Sequence, residues 1–114
     1  MKQLSIFLED KSGTIFRVLN LLKGGGIQII ASTVADTMDN AIYRIICDNP
    51  DKAYLILSDA GMTINLTEVN VIELDDEPGR AAEALAPLTE KGINIAYLYS
   101  FLLKGKGVLV YKVR

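Results

Sequence analysis

The chain states one pattern twice. LEDKSGT runs from Leu8 to Thr14 and LDDEPGR from Leu74 to Arg80, and Gly13 and Gly79 stand 66 residues apart (79 − 13 = 66). At the same offset Leu8 matches Leu74, Asp10 matches Asp76, Leu19 matches Leu85 and Leu22 matches Leu88. Gly26, Ile27 and Ile29 then match Gly92, Ile93 and Ile95, with no gap anywhere. Matches spread in register over structural positions mark duplication of one supersecondary unit. The fold must therefore be built from two copies, expected at residues 1–68 and 69–114.

Each copy has the same internal order. QLSIFL alternates Leu4, Ile6 and Leu8 with Gln3 and Ser5, the period of a strand. After the EDKSG loop, Ile15, Val18, Leu19 and Leu22 form one apolar stripe of a helix. KGGG stops that helix, because glycine takes up the left-handed conformation that closes helix C-termini. IQIIASTVAD and AIYRIICD read as two strands joined by a TMDN turn. NPDKAYLILSDAG reads as a second helix, with Asn49 as cap and Pro50 at the first position, and MTINLTEV as a fourth strand. Strand, helix, strand, strand, helix, strand is the α+β ferredoxin-like plan.

The second copy follows almost without a linker. Ile64 and Leu66 share one parity while Val69 and Val71 share the other, which predicts a bulge or handover near 67–70. A helix follows with Ala81, Ala84, Leu85 and Leu88 on one side, interrupted by Pro87, which removes a backbone donor. GINIAYLYSFLL and GVLVYKV read as two strands joined by KGKG. The second copy is thus βαββ, lacking the last helix and strand.

Bulk properties exclude several classes of function. A net charge of −2 carries no basic footprint for nucleic acid. There is no histidine, so no Ser-His or Cys-His pair exists, and one cysteine, Cys47, allows no internal disulfide. Within its strand Cys47 reads as a small buried hydrophobe. No stretch has the length and apolarity of a membrane-spanning helix or a signal peptide, so the expected location is cytoplasmic. Asp75, Asp76 and Glu77 lack the alternating spacing of a calcium loop and read as an acidic lead-in to a helix N-terminus. Gly24–Gly26 follows a helix and lacks the Gly-Lys-Ser ending of a phosphate loop. Tyr97, Tyr99 and Phe101 share one parity of one strand, which reads as core or interface packing.

The segments DKSG…GGGIQI and DDEPG…KGINI resemble the ACT domain family of small-molecule regulatory modules, in one complete and one truncated copy. The resemblance is to stand-alone tandem ACT proteins and implies binding without catalysis. In this family two domains pair side by side, and an amino acid or similar effector sits at their interface near the first loop and second strand. It implies a site built from Asp10, Gly13 and Thr14 with Gln28 and Ile29, and from Asp76, Pro78, Gly79 and Arg80 with Asn94 and Ile95. Physical chemistry is compatible with these assignments. The aspartates accept hydrogen bonds from an ammonium, the helix N-termini offer free N–H groups to a carboxylate, and Gln28 and Asn94 supply amides. Unit one departs from the family pattern at Ser12, where unit two has Pro78, and at Gln28, where unit two has Asn94. The implied partners are an amino acid, a second copy of the chain in a homodimer, and a regulated enzyme, with no cofactor, metal, nucleic acid or membrane. The alternative is a structural oligomerisation module whose free sheet edge needs covering.

Overall fold

Alternation along the first strand, β1 (Lys2–Phe7), places Leu4 and Ile6 on one side, and both are fully buried. The computed structural model describes residues 1–114 except Asp10, Met38, Asp39 and Asp76, together with the side chains of Lys11 and Ser12. After β1 come α1 (Lys11–Gly24), β2 (Ile29–Asp36), β3 (Ala41–Cys47), α2 (Pro50–Asp59) and β4 (Ile64–Glu68). Then follow β5 (Asn70–Leu74), α3 (Arg80–Glu90), β6 (Ile95–Leu103) and β7 (Lys106–Val113). The chain divides into unit one, Lys2–Glu68, and unit two, Val69–Arg114 together with Met1. This is the duplicated ferredoxin-like arrangement, and among the described residues the second copy is βαββ.

Unit one is an antiparallel sheet in the order β2-β3-β1-β4. Leu4 lies opposite Ile45 and Ile6 opposite Tyr43, so one face of the sheet carries a continuous apolar surface. Val18 and Leu22 of α1 and Ala53 and Leu57 of α2 bury against that face, forming one core with Leu8, Ala41 and Cys47. The apolar stripe of α1 is rotated from the expected one. Leu19 is 40% exposed, while Leu21 packs at the edge of the core. Just beyond α1, Gly25 lies so close to Ile56 of α2 that a side chain there would collide with it.

Local chemistry sets the element ends. Asn49 accepts a hydrogen bond from the backbone N–H of Lys52 at 3.2 Å, satisfying one free donor of α2. Gly61 ends the turn after α2 at φ +84°. The expected handover lies between β4 and β5, where buried Val69 donates its N–H to the Met1 carbonyl at 2.9 Å.

Unit two is a three-stranded sheet in the order β5-β7-β6. Its centre is β7, where Val108, Leu109 and Val110 are all buried, so both faces of that strand are covered. By register Tyr99 lies opposite Val110 and Phe101 opposite Val108, so the half-buried aromatic row of β6 packs beside apolar neighbours. α3 continues through Pro87 to Glu90, and the Lys91 N–H bonds the Pro87 carbonyl at 3.2 Å. No residue of α3 is fully buried, and Ala81, expected on its inner face, is exposed. Among the described residues no helix is long and apolar enough to cross a membrane.

Two substitutions should move stability in opposite directions. Lys104 and Gly105 turn β6 into β7 with φ values of +51° and +79°, a geometry suited to Asn-Gly or Gly-Gly. Lys104→Gly is expected to stabilise the protein by about 0.5–1 kcal/mol. Asn49→Ala is expected to destabilise it by about 1 kcal/mol. Urea unfolding at a common slope checks both.

Candidate functional site

The loop between β5 and α3 is shaped by Pro78 and Gly79. A residue before proline is pushed out of the helical region, so α3 does not begin at Glu77. Gly79 then caps α3 at φ +84° with no side-chain cap. In unit one Ser12 occupies the corresponding place, α1 begins at Lys11, and Gly13 already lies in its first turn. The duplicated glycines therefore differ in role. Gly79 is required by a left-handed backbone, and an added Cβ there meets nothing within 4 Å.

Arg80 follows Gly79 and is held by two carboxylates, Glu77 at 2.6 Å and Glu83 at 2.8 Å. These pairs are partly exposed and contribute little stability, but they fix the guanidinium. The Arg80 Nε is buried and has no hydrogen-bond partner among the described residues. Beside it opens a cleft of about 420 Å³, lined by Leu74, Asp75, Glu77, Gly79, Arg80, Ala81, Ser100, Phe101, Leu102 and Gly107. The volume is within the range of small-molecule sites.

The amide side of the expected site lies elsewhere in the unit. Asn94 is exposed, and its carbonyl accepts the Arg114 N–H at 2.9 Å. Ile95 lies opposite Val113, whereas Leu74 and Leu102 both lie opposite Gly107. The loop and the start of β6 are thus at opposite ends of β7, about 20 Å apart at the rise of a strand. Unit one repeats this separation. Leu8 bonds Ala41 at one end of β3, while Ile29 lies opposite Cys47 at the other. Gln28 there exchanges backbone bonds with Asp48, at 3.0 Å to its carboxylate and 3.1 Å from its N–H. Within one unit, no single amino acid spans loop and amide.

Thr14 lines a smaller cavity of about 120 Å³ with Phe7, Glu9, Arg17, Gly61, Met62 and Thr63. Arg17 is tied to the Ala60 carbonyl at 3.0 Å. Pro78 is exposed and does not line the large cleft. Asp10 and Asp76 lie outside the described residues. Ser100, Phe101, Leu102 and Gly107 were not expected at the site. A signal for Gly107 was nonetheless present, since it stands at the repeat position of Ala41.

Cys47 is buried at the end of β3. Burial pushes its thiol above the ordinary range, with a smaller upward push from Asp48, opposed by a backbone hydrogen bond at Asn49. A folded pKa above the unfolded one favours the neutral thiol. Its contribution to stability is present at neutral pH and is lost as pH rises above about 8.5. Cys47 should therefore react slowly with a thiol reagent in the native protein at pH ~8 and rapidly in denaturant. Equal rates would show the site to be open.

A family model described as an ACT domain pair matches residues 1–114. The crystal structure of protein BT0572 from Bacteroides thetaiotaomicron superposes with a TM-score of 0.89, at 38% identity, over 98% of this chain and 78% of that one. The regulatory subunit of aspartate kinase from Thermus thermophilus, in a ligand-free form, gives 0.70 at 14% identity, over 96% of this chain and 81% of that one. The aspartokinase alpha and beta subunits give 0.68 at 17% identity, over 97% and 81%. The last two are similar in fold. No curated protein sequence matches the chain.

Proposed function

The chain belongs to the ACT domain family, as an ACT domain pair over residues 1–114, and from that premise we propose that it is a non-catalytic regulatory module binding a free amino acid between ACT units of two copies. The observation that carries this reading is the separation of about 20 Å between the Gly79 loop and Asn94 along β7. A ligand that uses both must take one from each of two copies.

The geometry of β6 supports such a pairing. It is the longest strand, nine residues reading IAYLYSFLL, at the end of its sheet and without charge or proline. The other end strands are less suited: β4 carries Glu68, β5 carries Glu73 and β2 carries Asp36. Charge on an edge strand discourages pairing, and its absence permits it. Antiparallel pairing of two β6 strands about Tyr99 sets the partner's Ile95 opposite Leu103. The partner's Asn94 then arrives at the end of β6 that lines the cleft. The loop supplies unfilled N–H groups at the start of α3 for the ligand carboxylate, and Glu77 and Asp75 offer acceptors to its ammonium. By the resemblance, Asp76, Pro78 and Ile95 complete this site. Asp10, Gly13, Thr14, Gln28 and Ile29 form the corresponding site of unit one. Occupancy changes the stability of the assembly and so the state presented to a regulated enzyme. The competing reading, an assembly module without ligand, uses the same β6 edge.

Complementation between variants separates the readings. Gly79→Ala and Asn94→Ala should each abolish the stabilisation given by the amino acid that raises the melting temperature of the wild type. When the two are unfolded together and refolded as a mixture, mixed dimers carry one intact site, and about a quarter of the sites should return. No return on mixing would place loop and amide in one copy. No amino-acid response in the wild type would leave the assembly module.

A further inference from the structure

We propose that the cleft beneath the Gly79 loop receives the side chain of the effector, and that the effector is an amino acid with a bulky apolar side chain. The inference rests on the amino-acid-binding reading above and goes beyond it by naming the class of ligand and the unit that holds it.

The two units make the case by comparison. At the offset of the repeat, Ala81 stands where unit one has Ile15, Ala84 where it has Val18, and Gly107 where it has Ala41. In unit one Val18 and Ala41 are buried core residues, and Ile15 packs against them. The space between the first helix and the central strand is thereby filled with protein. In unit two the same place has lost three carbons at the first position, two at the second and one at the third. Two of these three positions, Ala81 and Gly107, line a cleft of about 420 Å³. An apolar group that entered the cleft would leave water and gain contact with its apolar lining.

Size and chemistry then select the occupant. Glycine, alanine or serine would leave most of this volume empty, whereas leucine or phenylalanine would fill far more of it. Leu102 and Leu74, which both lie opposite Gly107, supply apolar lining. Asp75 and Glu77, in the same lining, suit an ammonium group. The second unit is therefore the one shaped to take the ligand side chain.

The test is titration calorimetry of the full chain with leucine, phenylalanine, alanine and serine, one at a time, on wild type, Ala81→Ile and Gly107→Ala. Both variants are expected to fold. Ala81 is exposed, and a Cβ at Gly107 meets Leu74 at 3.5 Å, an ordinary contact. Leucine or phenylalanine should bind roughly tenfold or more tighter than alanine or serine. Ala81→Ile should weaken the bulky ligand by roughly tenfold while leaving binding of alanine nearly unchanged, with a smaller effect in the same direction for Gly107→Ala. Preferential binding of alanine or serine, or indifference of the bulky ligand to both variants, would overturn the inference and leave amino-acid binding standing. If none of the four binds and no other free amino acid stabilises the wild type, the inference and the reading beneath it fail together.

Discussion

The register of β7 against its two neighbours governs unit two. Gly107 lies opposite Leu74 on one side and Leu102 on the other, so the β5–α3 loop and the far end of β6 meet at one place. Val113, at the other end, lies opposite Ile95 and holds the start of β6 away from that place. Side-chain period makes such a register hard to shift, because a slip of one residue would turn every side chain of β7 to the opposite face of the sheet. Buried valines thus determine where the two halves of a ligand site can be. The same logic holds in unit one, where buried Ile45 and Tyr43 fix β3 against β1.

The two units share a plan and differ in what they do with it. Unit one closes its core with two helices, and Leu57, Ala53, Val18 and Leu22 are all buried. Unit two has one helix with no fully buried residue, small side chains facing the sheet, and a cleft where its counterpart is solid. Duplication permits such division. One copy carries stability through a complete core, and the other retains open space and a long uncharged edge strand.

Much of this was legible in the sequence, and the reasons for the remainder are specific. The repeat, the strand alternation in QLSIFL, the Asn49 cap and the parity change before Val71 all report local geometry, and the structure agrees with each. Leu19 fits the apolar period of α1 but is 40% exposed, because which flank of a helical stripe is covered depends on packing partners distant in sequence. Ala81 matched the apolar period of α3 but lies exposed in the first turn of the helix. The loop and the amide were both read from motifs. That they lie at opposite ends of one unit follows only from pairing partners, which periodicity does not supply. For Gly107 the repeat marks only a smaller residue than Ala41; its place beside Leu74 follows from the β7 register.

The central claim is that one copy holds half a site and that two copies complete it. Sedimentation velocity over a dilution series, with and without a saturating mixture of the proteinogenic amino acids, addresses it most directly. If the ligand bridges two copies, it must tighten their association by linkage, and the dimer should persist to lower protein concentration when the mixture is present. A protein that remains monomeric with ligand bound, or a dimer whose dissociation ignores the mixture, would contradict the account.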